Sequence, residues 1–221
     1  MNQHSTQPTI SAIIPALNEA GNIARVIAPL IASGVCKEII VVDDGSTDGT
    51  AAIAREAGAR VIEQHHQGKG GAMRTGAQAA EGDILCFFDA DITQMTPDIV
   101  QCLVAPVRDG LATMVIGLRD KPFFERFLNR FAPVLGGERV IRRSTFFTML
   151  SLGGSTSNNF GIETWMNGYC AKKKLPVEYI FMPGVRHVIK EKKYGLAKGF
   201  IARIKMIGQI LKAEIEIMKM Q

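Results

Sequence analysis

The sequence lacks the features that mark several large classes of protein. Its four cysteines form no CxxC pair, so we expect neither a disulfide framework nor a zinc site. No apolar run approaches the ~20 residues needed to cross a bilayer, and residues 1–9 lack the basic and apolar regions of a signal peptide. There is no GxxxxGK[ST] loop, nor a GxGxxG after the first predicted strand, which disfavours ATPases and dinucleotide-binding enzymes. We therefore expect one cytoplasmic globular domain.

The charge of the chain is unevenly distributed. Residues 1–120 hold 8 Lys/Arg against 14 Asp/Glu, whereas residues 121–205 hold 16 against 5. An acidic half favours a cation as partner, and a basic half favours an anionic partner. The basic residues are not interleaved with stacking aromatic residues, so nucleic-acid binding is not expected.

Strand and helix patterns alternate regularly over the first 120 residues. Predicted strands read TISAIIPALN, KEIIVVDD, ARVIEQ, DILCFFDAD and TMVIG, and the segments between them show helical spacing, as in residues 19–32 and 97–108. Ser46 or Thr47 is the expected N-cap of the second helix. This alternation predicts an α/β fold with a mostly parallel, doubly wound, Rossmann-like sheet.

Three polar clusters follow predicted strands. They are Pro15 to Glu19 after the first strand, Asp43-Asp44 after the second, and Asp89 with Asp91 after the fourth. Ligands of such sheets bind outside the carboxyl ends of the strands. We therefore expect the three clusters to meet at one edge, where Asp44 is able to accept hydrogen bonds from a base or a ribose. A simple turn and helix cap is the alternative interpretation of the Asp44 segment.

Asp89 and Asp91 are the strongest candidates for a metal site. On an extended chain, residues i and i+2 point to the same side, so both carboxylates face one crevice. Their mutual repulsion favours a shared cation, and Mg²⁺ or Mn²⁺ takes oxygen ligands while leaving positions for phosphates. Two exposed loop carboxylates that cap the next helix are the alternative. Lys69 and Arg74, in GKGGAMRTG, are candidates for neutralising a phosphate, and two solvated cations at the start of a helix are the alternative.

The pattern changes after residue 120. Residues 123–131 resemble a short basic amphipathic helix, GGSTSNNFG a polar loop, IETWMNGYCAKKK a helix and PVEYIFMPG a strand. Residues 196–219 place apolar side chains on one stripe at helical spacing. Such a basic amphipathic helix packs on its own domain or lies in a membrane interface.

Four segments, in this order and spacing, resemble the family 2 glycosyltransferases of the GT-A fold: SAIIPALNEAGNI, VVDDGSTDGT, GKGGAMRTG and FFDADI. The resemblance implies one domain over residues 1–221, with a nucleotide-sugar half (9–120), an acceptor half (121–195) and a C-terminal helix (196–221). It also implies a set of donor-binding residues, which are Pro15, Ala16, Leu17, Glu19, Asp44, Lys69 and Asp89. Asp91 would bind the metal that carries the diphosphate.

The second half is similar to the acceptor half of glucosyl-3-phosphoglycerate synthases and, more loosely, to polyprenyl-phosphate mannosyl- and glucosyltransferases. That resemblance implies roles for Gly137-Glu138, for Glu163 and for His187, which would complete the metal site with Asp91. Glu138 or Glu163 would serve as the base, and Arg139 and Arg186 would bind the acceptor phosphate. The loop before this half, KPFFERFLNRF, departs from the synthase pattern.

The resemblance implies a metal-dependent hexosyltransferase acting on a nucleoside-diphosphate sugar. The acceptor would be anionic, either a polyprenyl phosphate at the membrane surface or a small phosphorylated acid. A catalytically inactive nucleotide-binding protein and a nucleotidyltransferase are the alternatives, and homodimer formation is a further expectation. Retention or inversion of the anomeric centre does not follow from the residues.

Overall fold

The computed structural model of the chain describes residues 7–119, 138–152 and 161–187. Nine strands lie within these ranges: β1 (Ile10–Ala16), β2 (Glu38–Asp43), β3 (Arg60–Glu63), β4 (Ile84–Phe87), β5 (Ile92–Thr93), β6 (Met114–Arg119), β7 (Arg139–Arg142), β8 (Val177–Met182) and β9 (Arg186–His187). The six helices there are α1 (Ile23–Ser33), α2 (Thr50–Glu56), α3 (Gly68–Ala79), α4 (Pro97–Arg108), α5 (Arg143–Leu152) and α6 (Gly161–Lys172).

Seven strands form the central sheet in the order β3-β2-β1-β4-β7-β6-β8. Strand β7 runs antiparallel to both of its neighbours, β4 and β6, and the other pairs are parallel. Strands β5 and β9 form a separate two-stranded antiparallel sheet. The predicted mostly parallel α/β sheet is therefore confirmed.

Helices cover both faces of the sheet. Side chains of α1, α2 and α4 join one apolar core, and side chains of α3, α5 and α6 join the other. Strand β1 shows why both cores form, because Ala12 and Ile14 point into the first and Ile13 into the second. Strands buried on both faces need continuous apolar runs, which the sequence supplies. Within the described ranges, no helix has the length and apolar character needed to cross a bilayer.

Some local predictions were wrong. Strand β7 and helix α5 were not predicted, because the RVIR segment carries two arginines and lacks the pattern of a buried strand. Neither Ser46 nor Thr47 caps α2, which begins at Thr50 after Gly49 in a left-handed conformation. The predicted helices over 123–131 and 196–219, most of the GGSTSNNFG loop, and Gly137 lie outside the described residues.

Gly76 allows α3 to lie close against the sheet. A Cβ atom at this position would be 2.4 Å from Ile13 Cγ2 and 3.2 Å from Val42 Cγ2. Both neighbours are fully buried in the core that α3 covers. An added methyl group would therefore push α3 away from β1 and β2, which end at the polar clusters.

We expect Gly76→Ala to lower the free energy of unfolding. The gain in helix propensity is about 1 kcal/mol, whereas overpacking a core costs roughly 1–3 kcal/mol, so the net change is a loss. Urea denaturation measures it. Gly21→Ala is the matched control, because nothing lies within 4 Å of a Cβ atom there. A Gly76→Ala midpoint equal to or above that of the wild type would contradict close packing at this position.

Candidate active site

The predicted polar clusters meet at the carboxyl edge of the sheet. β1, β2 and β4 are adjacent parallel strands, so their carboxyl ends, with the residues that follow, lie side by side. Asp44, Asp89 and Asp91 are each less than a tenth exposed, whereas Leu17 is 39% exposed and presents apolar surface at the same edge. Because β6 is parallel to β4 and β7 runs the other way, the end of β6 and the start of β7 are at this edge too.

The loops after β1 and β2 are hydrogen-bonded to each other. The backbone N–H groups of Asn18 and Glu19 donate to Ser46 Oγ and Thr50 Oγ1, both at 2.8 Å. In return, the Thr47 N–H donates to Asn18 Oδ1 at 2.9 Å. These bonds explain why the Ser46 hydroxyl does not cap α2, since it is used across the loop. The two segments expected to hold a nucleoside form one preorganised unit.

The carboxylate of Asp44 is held against the start of α3. It accepts hydrogen bonds from the backbone N–H groups of Gln67 (2.7 Å) and Gly68 (2.8 Å) and from Gln64 Nε2 (2.8 Å). The N–H groups at a helix N-terminus stabilise a negative charge. A carboxylate has about four acceptor positions, so these three bonds orient Asp44 and leave capacity for a ligand donor.

Lys69 joins two carboxylates from opposite halves of the site. Its Nζ lies 2.6 Å from Asp89 Oδ1 and 2.7 Å from Glu163 Oε1. Burial opposes the ammonium charge, but Asp89 and Glu163 outweigh burial and raise the pKa of Lys69 well above its usual range. Arg139, almost fully buried, approaches the same carboxylate oxygen, with Nη1 at 3.4 Å from Glu163 Oε1.

Arg119 joins Asp89 to a third carboxylate. Its Nε donates to Glu138 Oε2 at 2.8 Å, and its Nη2 lies 3.3 Å from Asp89 Oδ2. Burial opposes the guanidinium charge, yet Glu138 and Asp89 raise the pKa of Arg119. Together with the Lys69 contacts, these pairs form a chain of alternating charges, which we call the charge chain: Arg139, Glu163, Lys69, Asp89, Arg119 and Glu138.

Glu138 and Arg139 are the most deeply buried members of the charge chain, with exposed fractions of 0% and 1%. Burial raises the pKa of Glu138 to about 7, the Arg119 charge opposes the rise and the Asp89 charge adds to it. Its Oε1 has no hydrogen-bond partner among the residues that the structure describes. The side chain fits beside Gly117, where a Cβ atom would be 3.0 Å from Glu138 Cβ and 2.8 Å from Met182 Cε.

The small sheet brings the predicted metal-binding segments together. β5 begins directly after Asp91, and its residue Ile92 pairs with His187 of β9. Thr93 pairs with Arg186, whose side chain is exposed. Only the backbone of His187 is described. Within the described side chains, no group of three or more His, Cys, Asp or Glu could hold a metal ion.

The structure therefore links Asp89, Lys69, Glu163 and Arg139 by direct contacts and joins Glu138 to them through Arg119, while Asp44 follows β2, which β1 separates from β4. Their catalytic and binding roles stay predictions, as do those of Pro15, Ala16, Glu19 and Arg186. Arg119 and Gln64 were not singled out from the sequence. Arg119 could have been selected as a candidate site residue, since it ends β6, which was predicted as a strand, at the same edge of the sheet. Gln64 had none, because an isolated Gln after a strand has no typical role.

The raised pKa of Glu138 predicts a pH-dependent term in stability. A carboxyl group whose folded pKa lies above its unfolded value stabilises the fold below the unfolded pKa. For Glu138 this stabilisation should be present below about pH 4.5 and be lost as the pH rises to about 7. Glu138→Gln should remove it, so wild-type stability should fall relative to the variant across this window. Urea denaturation at several pH values measures the difference, and a constant difference would contradict the assignment.

Comparison with known proteins finds glycosyltransferases that resemble this chain. The chain is 38% identical over 132 residues to a glucosyl-3-phosphoglycerate synthase of Mycolicibacterium paratuberculosis, covering 55% of this chain and 39% of that protein. It is 32% identical over 188 residues to glycosyltransferase AglJ of Haloferax volcanii, covering 76% of this chain and 60% of the relative. The chain thus spans well under half of the synthase that it matches.

Solved structures show the same fold. Glucosyl-3-phosphoglycerate synthase of Mycobacterium tuberculosis, in complex with Mn²⁺, uridine diphosphate and glucosyl-3-phosphoglycerate, superposes with a TM-score of 0.73 at 26% identity, over 93% of this chain and 80% of that one. Its complex with phosphoglyceric acid gives 0.74 at 27% identity, over the same shares. The sequence profile described as Glycosyl transferase family 2 matches residues 11–168. This range contains the loops, the aspartates and the whole charge chain, and the protein accordingly belongs to glycosyl transferase family 2.

Proposed function

We propose that this protein transfers a sugar from a nucleoside-diphosphate sugar to a phosphorylated acceptor, with Mn²⁺ or Mg²⁺ bound. The observation that carries the proposal is the convergence of Asp44, Asp89 and Asp91 at one sheet edge. A similar structure with this fold holds Mn²⁺ and uridine diphosphate.

The donor side follows from the strand ends. Asp44 is oriented to accept a hydrogen bond from the base or ribose, and Leu17 offers exposed apolar surface in the segment that also contains Pro15, Ala16 and Glu19. Asp89 meets the ribose side of the nucleotide. Lys69, beside Asp89, supplies positive charge towards the diphosphate. Positive charge placed where negative charge develops stabilises the transition state.

The residues present fit a divalent cation. Asp91 is a nearly buried carboxylate. The β5–β9 pairing places His187 opposite Ile92, the residue that follows Asp91. Carboxylate oxygen and imidazole nitrogen are ligands that Mn²⁺ accepts. When bound, the ion neutralises the charge of the departing diphosphate. Asp91 and His187 would hold it, and Asp89 would orient the nucleotide beside it.

Several observations favour a phosphorylated acceptor. Residues 121–205 carry 16 Lys/Arg against 5 Asp/Glu, and Arg139 and Arg186 lie in this part of the chain. Similar structures hold phosphoglyceric acid or glycerol 3-phosphate. Glu163, which joins Lys69 to Arg139, is the better candidate for the base, because Glu138 is fully buried. An acceptor phosphate oxygen is already ionised and needs little help from a base.

Asp91→Asn should abolish metal-dependent transfer and weaken binding of Mn²⁺ with a nucleoside diphosphate. The amide keeps the shape of the carboxylate but loses the charge that a hard cation requires. Calorimetric titration and a transfer assay measure the two effects. Asp98→Asn, an exposed change in the first turn of α4, is the control. If Asp91→Asn retained wild-type cation affinity, Asp91 would not be a ligand.

The function itself is tested by incubating the protein with UDP- and GDP-sugars, Mn²⁺ and candidate acceptors. We expect nucleoside diphosphate to be released and to increase with either a small phospho-acid or a polyprenyl phosphate. Release of pyrophosphate from a nucleoside triphosphate would favour a nucleotidyltransferase. Binding of nucleotide without turnover would favour an inactive relative.

Salt-sensitive sedimentation with anionic liposomes separates the two acceptor classes. A lipid acceptor should give binding that weakens as salt rises, because each cation near an anionic surface contributes about 1 kcal/mol. Deletion of residues 196–221 should reduce this binding if the terminal segment is the contact. Transfer to a water-soluble phosphate compound without liposome binding would support the small acid. Preference for a neutral sugar would contradict the charge-based acceptor argument.

A further inference from the structure

A groove lies between α6 and β8, which ends the order of strands in the central sheet. A cavity of about 240 Å³ opens there, and its sheet side is lined by Met114, Ile116, Val177 and Tyr179. Alternate residues of a strand share a face, so Phe181 continues this row. Tyr179 and Phe181 are 57% and 51% exposed. The described residues thus leave an apolar strip open along β8, and we call the cavity and this strip the β8 groove.

The β8 groove runs towards the carboxyl edge of the sheet, where the candidate site lies. Strands β6 and β8 are parallel, and their register pairs Leu118 with Phe181. The residue that follows Leu118 is Arg119, a member of the charge chain. Phe181 therefore lies at the end of the groove nearest the site, and Val177 lies at the far end.

Helix α6 connects the site to the groove along its other wall. Residues four apart share one face of a helix, as Glu163, Asn167 and Ala171 do. Glu163 belongs to the charge chain, and Asn167 Oδ1 accepts a hydrogen bond from Arg139 Nη2 at 3.5 Å. Asn167 and Ala171 both line the cavity. One face of α6 thus leads from the charge chain into the β8 groove.

The far end of the β8 groove is basic. Lys174 lines the cavity, Lys172 and Lys173 directly precede it, and all three residues are exposed. They lie at the end of α6 that points away from the charge chain. A ligand with a phosphate near the charge chain and a hydrocarbon chain towards Lys174 would match the apolar strip. The lysines would then face the anionic membrane surface from which such a chain emerges.

We propose that the β8 groove binds the hydrocarbon chain of a lipid-phosphate acceptor, whose phosphate lies at the end next to the charge chain. This inference rests on the proposed function. The strip from Val177 to Phe181 is ~13 Å long at the rise of a strand, which accommodates several carbon–carbon bonds of the chain. A small phosphorylated acid has no group that would fill the groove, so the groove selects between the two acceptor classes.

The first test uses the wild-type protein and two phosphates that differ only in chain length, dimethylallyl phosphate and farnesyl phosphate. Calorimetric titration measures both affinities. Burying one methylene group contributes about fourfold to an affinity. We therefore expect farnesyl phosphate to bind at least about tenfold more tightly, with only part of its added chain in the groove. Equal affinities for the two phosphates would overturn the proposal.

Ala171→Phe tests the place of binding, because it puts a ring into the groove. Ala171 is exposed, so the variant should fold. The dissociation constant of farnesyl phosphate should rise about tenfold, and that of dimethylallyl phosphate should rise much less. Ala28→Phe is the matched control, the same change at an exposed position of α1 on the other face of the sheet. Unchanged farnesyl phosphate affinity in Ala171→Phe, or an equal loss for both phosphates, would overturn the proposal.

The apolar stripe of residues 196–219 is the rival occupant of the groove. If that stripe filled it, Ala171→Phe would lower the thermal midpoint of the full chain relative to Ala28→Phe, and chain length would not increase affinity. That pair of results would overturn the proposal in favour of an internal contact.

Transfer assays with the same phosphates and with glycerol 3-phosphate separate this inference from the proposed function. Transfer to glycerol 3-phosphate, with no effect of chain length on KM or affinity, would overturn the inference and leave the proposed function standing. If no acceptor increases the release of nucleoside diphosphate, the proposed function fails, and the acceptor role of the β8 groove fails with it.

Discussion

The contact between Lys69 and the carboxylates of Asp89 and Glu163 is the interaction on which the rest of the site depends. Within the described residues it connects the donor loops to α6, since Asp89 follows β4 and Glu163 lies in the first turn of α6. Burying three charges is expensive unless each is paired. Replacing any member of the charge chain by a neutral residue would leave its partner as an uncompensated buried charge. The cost of burial thus forces the two halves to keep one relative arrangement.

Much of the fold was predictable because physical demands coincide with sequence patterns. Strands buried on both faces must be apolar, so KEIIVVDD and DILCFFDAD were predicted to be strands, and alternation with helices implied a mostly parallel sheet. The positions of Asp44 and of the Asp89–Asp91 pair followed, because parallel strands bring their carboxyl ends together. The structure bears out each of these steps.

The acceptor side was less predictable for an equally physical reason. Strand β7 holds Arg139 with an exposed fraction of 1%, and nothing in the sequence separates a buried, paired arginine from one in water. Arg139, Glu138 and Lys69 each pair with residues that lie far from them along the chain. Pairing between distant charges leaves no periodic pattern, so the charge chain became visible only in three dimensions. The resemblance to known glycosyltransferases named several of its members without showing that they touch.

Gly117 has a consequence for how this site is able to change. The absence of a side chain at Gly117 leaves room for the Glu138 side chain, since a Cβ atom at Gly117 would lie 3.0 Å from Glu138 Cβ. A methyl group there would press on Glu138 Cβ and on Met182 without altering any titratable residue. The electrostatic character of the site is therefore controlled in part by a residue with no side chain. Substitution of Gly117 is thus a steric route to altering this site, beside the exchange of charged residues.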